Sequence, residues 1–174
     1  MEEVIIATIT DEGPELSLDS DETELQDVVY ALAAAPDFEQ SGICFAAQVT
    51  GLFRSPDKGH TWQDAYASLK LDSPLPTSAV ALSPQFETDR TVFAGMAGAV
   101  LRSTDGGQTW MVATLPSPPP IVSMLTVSPN YAHDGMVFAG TLEDGVFTPI
   151  TGGNAGRLEF WPAGPAHPGP GYLA

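Results

Sequence analysis

Two carboxylates stand out because each sits in the same surroundings. Asp57 lies in Ser55-Pro56-Asp57-Lys58-Gly59-His60-Thr61-Trp62, and Asp105 in Ser103-Thr104-Asp105-Gly106-Gly107-Gln108-Thr109-Trp110. The shared pattern is Ser-x-Asp-x-Gly-x-Thr-Trp. A repeated Asp serves as acid, base or metal ligand only if other groups converge on it. A calcium loop asks for several oxygen ligands at alternate positions, and each segment offers one carboxylate. Turn chemistry accounts for the whole pattern instead. Gly59 and Gly107 accept a positive φ, and Asp57 and Asp105 accept hydrogen bonds from loop N–H groups. The hydroxyls of Ser55, Ser103, Thr61 and Thr109 close the same loop. Trp62 and Trp110 then open the next strand with a large apolar face suited to packing between sheets. A structural role is expected for these ten residues, with no catalytic, cofactor or metal site among them.

The remaining reactive side chains are scattered. Arg54 and Arg102 each precede a motif Ser, so they read as repeat features, while Arg90 falls in a loop and Arg157 in the C-terminal tail. Tyr30 lies in an apolar run, Tyr66 follows the first motif, Tyr131 stands where Phe38 and Phe86 recur, and Tyr172 is in the tail. His60 occupies a variable motif position, His133 a loop, and His167 a Pro/Gly-rich end. None has the periodic partner that a zinc site or a catalytic triad needs. Cys44 is the single cysteine, flanked by Ile43, Phe45 and Ala46, which excludes an intramolecular disulfide and suggests a buried, inert thiol. No P-loop, dinucleotide fingerprint or nucleophile elbow occurs.

The elements that carry these residues repeat. Pro36-Asp37-Phe38, Pro84-Gln85-Phe86 and Pro129-Asn130-Tyr131 recur at spacings of 48 and 45 residues. A strand-like segment follows each: Ile43–Ala47, Thr91–Gly95 and Met136–Gly140. A second follows at Gly51–Arg54, Ala99–Arg102 and Gly145–Phe147. An apolar run precedes each Pro. The runs are short, rich in Val, Ile and Phe, bounded by Gly, Pro, Asp and Ser, and without helical periodicity. At about four strands per unit, they describe the blades of an all-β propeller. A β-sandwich with accidentally similar hairpins is the competing architecture.

The motif at Ser55–Trp62 and Ser103–Trp110 resembles the Asp-box of BNR-repeat propellers, which include sialidases, sortilin-type receptor domains and photosystem II assembly factors. The resemblance covers about residues 28–150. It implies a fold-stabilising turn set away from the pocket where ligands bind. It also raises a sialidase-like glycosidase, whose chemistry needs three Arg on the substrate carboxylate, a Tyr nucleophile with a Glu partner, and an acid/base. The chain has four Arg in all, and the Phe/Tyr-Arg-Ile-Pro stretch of sialidases is absent. The expectation is therefore a non-catalytic binding or scaffold module for a protein or glycan. The alternatives are a sialidase-like remnant and a chaperone similar to the photosystem II assembly factors. Asp89 and Asp134, aligned with Ser41, are candidates for a loop face, although solvation of a turn is the stronger explanation for them.

Charge narrows the partners. The chain of 174 residues has a formal net charge of −16, and its first 27 residues hold ten Asp and Glu with no Lys or Arg. Phosphate backbones and anionic lipid are bound through Lys and Arg, so nucleic acid and membrane surfaces are disfavoured. No secretory signal or bilayer-length apolar span is apparent, which points to the cytoplasm. The expected organisation is an N-terminal strand and acidic linker over 1–27, blades over 28–150, and an irregular Gly/Pro-rich tail over 151–174. The fold class is all-β, an incomplete propeller of about three four-stranded antiparallel blades. Open blade edges favour self-association. A third Asp-box would end in Trp at Gly156. Its absence, and the blade-like strand that one admissible codon choice for Leu158–Ala174 gives when read one base later, point to a frameshift between about Thr148 and Leu158. The nucleotide sequence is the check on it.

Overall fold

The computed structural model describes residues 28–149 and 160–162. The strand and acidic linker expected over 1–27 lie outside the described residues, as do 150–159, where the frameshift mainly falls, and 163–174.

Three four-stranded antiparallel sheets follow one another along the chain. The first contains β1 (Val29–Ala34), β2 (Cys44–Gln48), β3 (Gly51–Ser55) and β4 (Gln63–Asp64). The second contains β5 (Ala79–Leu82), β6 (Val92–Met96), β7 (Ala99–Ser103) and β8 (Met111–Thr114). The third contains β9 (Val122–Val127), β10 (Val137–Thr141), β11 (Val146–Pro149) and β12 (Phe160–Pro162). Each is a meander in which sequence neighbours pair, with equivalent registers: Leu32 faces Ala46, Val80 faces Ala94, and Leu125 faces Ala139. These are three blades of a β-propeller. The third extends beyond the boundary drawn at residue 150, because β12 pairs with β11 from within the segment read as irregular. Its three residues are too few to stand out against the Gly and Pro around them.

Each first strand leads into a single helical turn: α1 (Phe38–Ser41), α2 (Phe86–Asp89) and α3 (Tyr131–Asp134). Four residues are too short to show helical periodicity, which is why the Pro-x-aromatic landmarks gave no helix signal. Each turn ends in a left-handed residue, Gly42, Arg90 or Gly135.

The hydrophobic core is divided between the joints. One cluster unites Phe45, Ala47, Leu52 and Tyr66 of blade one with Val80, Phe86, Val92, Ala94 and Leu101 of blade two. A second unites Ala79, Phe93, Val100 and Ala113 of blade two with Val122, Val137, Ala139 and Phe147 of blade three. The alternation of a β-strand explains the division, since Val92 and Ala94 point to one side of β6 and Phe93 to the other. Blade two is thus apolar on both faces.

Candidate functional site: an apolar cleft opposite the Asp-box turns

The two Ser-x-Asp-x-Gly-x-Thr-Trp loops close on their own polar atoms. The Ser55 hydroxyl donates to Asp57 Oδ1 at 2.9 Å and accepts the Gly59 N–H at 2.8 Å. Asp57 accepts the Thr61 N–H at 2.8 Å and the Thr61 hydroxyl at 2.6 Å. Ser103, Gly107, Asp105 and Thr109 repeat the arrangement at 2.7 to 2.9 Å, with Thr109 Oγ1 to Asp105 Oδ2 at 2.5 Å and the Gln108 N–H as an additional donor. Gly59 and Gly107 have φ of +86° and +89°. At Asp57 the Thr61 hydroxyl, followed by the Thr61 N–H, lowers the pKa to about 2. At Asp105 partial burial pushes upward but is outweighed by the Thr109 and Ser103 hydroxyls and the loop N–H groups, again giving about 2. A carboxylate this acidic and this fully hydrogen-bonded is a poor general base.

Asp89 and Asp134 belong to a second repeated clasp, for which the sequence reading preferred turn solvation over a binding face. Each accepts the hydroxyl of the Ser before the Pro, Ser83 at 2.5 Å and Ser128 at 2.6 Å. Each also accepts the N–H that starts the next strand, Thr91 at 2.8 Å and Met136 at 2.9 Å. In blade one the Ser is Ala35 and the Asp is Ser41, which donates instead to Asp37 at 3.2 Å. A Ser and an Asp six residues apart, lost together in one unit, was the available signal for this pairing.

The aromatic residues join blades. Phe45 meets Phe86 edge-on at 6.3 Å, and Phe93 meets Tyr131 in the same way at 5.6 Å. Trp110 packs edge-on against Tyr66 at 5.4 Å and donates its indole N–H to Ala65 O at 2.8 Å. It therefore fulfils the packing role expected of it, whereas Trp62 is 41% exposed. Burial raises the Tyr66 and Tyr131 phenols, and Tyr66 OH lies 3.0 Å from Thr77 Oγ1. The arginines are dispersed among these joints. Arg90 stands 5.8 Å from the Phe86 ring centre, the Arg102 charge counters the burial that raises the Tyr131 phenol, and Arg54 is half-buried opposite Phe45. Arg157, Tyr172 and His167 lie outside the described residues. Cys44 is half-buried rather than buried, and desolvation raises its thiol pKa. Among the described residues no three His, Cys, Asp or Glu gather as a metal would require.

Chain direction places the loops at 55–62 and 103–110 and the helical turns at one end of the blades. The β2–β3 and β6–β7 turns and the long 65–78 connection lie at the other. There a cleft of about 520 Å³ is lined by Tyr30, Leu75, Pro76, Met96, Ile121 and Leu142, with Thr77, Ser78 and Ser123 among them. It straddles all three blades at the starts of their first strands. Hydrogen bonds between segments of different blades run beside it: Thr77 N to Gln48 O at 2.9 Å, Gly98 N to Pro120 O at 2.8 Å, and the Ser78 hydroxyl to Val122 O. Gly95 is required here, since a Cβ would lie 2.5 Å from Val122 Cγ1. Sequence reading missed this cleft because its lining comes from five separate segments. A neighbouring hollow of about 390 Å³ includes Thr50, Asp64, Lys70 and Asp72. Asp64 is committed there to the Tyr66 N–H at 2.7 Å.

No family model matches the chain, and no curated protein matches it. Among solved structures, it is similar to one described as an ancestral GH74 enzyme, with TM-score 0.60 and 19% identity, over 82% of this chain and 19% of that one. It is also similar to the RRP9 WD40 repeats, with TM-score 0.52 and 12% identity, over 71% of this chain and 35% of that one. The chain thus spans about a fifth and about a third of these neighbours. Both are β-propellers, and the likeness is one of fold.

Proposed function

We propose that this chain is a non-catalytic binding or scaffold propeller, cytoplasmic, whose apolar cleft receives a protein or glycan ligand. One observation carries the reading: the two ends of the blades divide their tasks. The Ser, Asp and Thr side chains of the two Ser-x-Asp loops and of the helical-turn clasps are spent on their own turns, whereas the opposite end presents an apolar hollow rimmed by hydroxyls. Concave apolar surfaces with a few polar groups are where ligands bind, and a rigid repeat scaffold suits that task. Tyr30, at 53% exposure, offers a ring on which a sugar face or an apolar side chain can stack. The Asp-box resemblance supports the same division, because it places the motif away from ligand pockets.

The test is a glycan-array and peptide-array screen of the pure chain beside Tyr30→Ala and Ile121→Asp. Retention of a defined glycan or peptide without turnover, weakened at least tenfold by either change, is the expected result. Hydrolysis of a fluorogenic sialoside or another glycoside by the pure chain would overturn it.

A further inference from the structure

Among the described residues the joint between blades is used twice, and its two unmated halves lie on the outer faces of blades one and three. The forward half of a joint is the aromatic residue of the second strand, with apolar neighbours on the first and third strands. Phe45 and Phe93 fill this place at 0% exposure, each roofed by the helical aromatic of the next blade. Their equivalent in blade three is Phe138, which is 38% exposed. Around it Met124 and Val146 are exposed, whereas their equivalents Ala79 and Val100 are buried.

The backward half consists of the helical aromatic, a residue of the first strand and the Asp-box Trp. Blade two presents Phe86, Val80 and Trp110 in these places, all packed on blade one. Blade one presents Phe38, Leu32 and Trp62. Leu32 is 69% exposed where Val80 is 8% exposed. The two open faces therefore present, position by position, the counterparts of those that unite blades one and two, all of them apolar, with Met124 in the place of Ala31, Val146 in that of Leu52 and Leu32 in that of Val80.

We propose that two copies of this chain associate head to tail through these faces, Phe38 of each roofing Phe138 of the other, and close a six-bladed ring. A heterologous contact used twice closes when the rotation returns to its start. With the three blades of the described residues, two copies make a ring within the range of about four to eight blades that propellers adopt, and a third copy would exceed it. Closure also removes apolar surface that would otherwise remain in water at both ends.

The experiment measures the mass of the full 174-residue chain by light scattering and sedimentation over a wide concentration range. The expected species has twice the 18.3 kDa chain mass. Leu32→Asp blocks the head and Phe138→Asp blocks the tail. Both positions are exposed, so each variant keeps the wild-type circular dichroism and runs as a single chain, while Phe138→Leu still pairs. Mixing the two blocked variants unites the one intact head with the one intact tail and restores a pair. That pair dissociates more readily than wild type, since one joint replaces two. A monomeric wild type, as when another segment of the chain covers these faces, would overturn the proposal. So would open-ended polymers, a blocked variant that remains a dimer, or a mixture that fails to pair.

Discussion

Lys58 and Gly106 occupy the same place in the two Asp-boxes, with φ of 63° and 77°. For a residue bearing a Cβ this left-handed conformation costs about 1–2 kcal/mol, offset in part by the greater chain entropy of Gly in the unfolded state. Lys58→Gly is therefore expected to stabilise the chain by about 0.5–1 kcal/mol, read as a higher urea midpoint at unchanged m-value. The carboxylates of the same loops give a pH prediction. Asp57 and Asp105 titrate at about 2 in the folded chain, below their ordinary 3.8. A depressed carboxylate pKa contributes stability that is complete above the unfolded value and is lost as pH falls through the folded one. Stability should accordingly decline from about pH 4 toward pH 2. The double variant Asp57→Asn/Asp105→Asn should be less stable at neutral pH and show a flatter acid profile by thermal denaturation. These loops were legible in the sequence because every partner lies within four residues of the Asp.

At the scale of the element, the helical turns and the strands they follow act as pegs and sockets between blades. Phe45 is fully buried beneath Phe86 and within reach of Gly107, where a Cβ would meet Phe45 Cε1 at 2.9 Å. Phe45→Ala should cost about 3–5 kcal/mol, since neither a turn nor a helix can collapse into the space. Trp110→Phe keeps most of the apolar area but leaves Ala65 O without its indole donor, for an expected loss of about 1–3 kcal/mol. Both follow from chemical denaturation of the purified variants. The repeat alignment exposed the aromatic positions, but not that Phe38-type and Phe45-type residues face each other across successive blades. Their sequence separation is about 40 residues, and nothing in local pattern records such a contact. β12 was missed for a related reason: its pairing with β11 spans a Gly-rich segment whose composition alone argues against a strand.

For the whole molecule, the location of the core governs how it unfolds. Both clusters lie between blades, so no blade owns a core that survives alone. Unfolding is expected to follow a single transition, with far-ultraviolet circular dichroism and tryptophan fluorescence coinciding in urea. Two separated transitions would show that one joint is dispensable to the other. The same architecture brings Tyr30, Leu75, Met96, Ile121 and Leu142 together in one cleft and leaves it open. Among the described residues no helix is long and apolar enough to cross a membrane, in keeping with strands that spend their apolar faces on one another.

The sequence by itself determined the repeat, the all-β class and the three blades of the described residues, because each depends on contacts within one unit. The tertiary structure decided what depends on contacts between units. It assigned Trp110 to a joint and left Trp62 in solvent although the two motifs read alike. It turned Asp89 and Asp134 into clasps, and it assembled a cleft from residues without any common motif. Identical local signals acquire different environments within one chain, since among the described residues only the middle blade has a neighbouring blade on both faces.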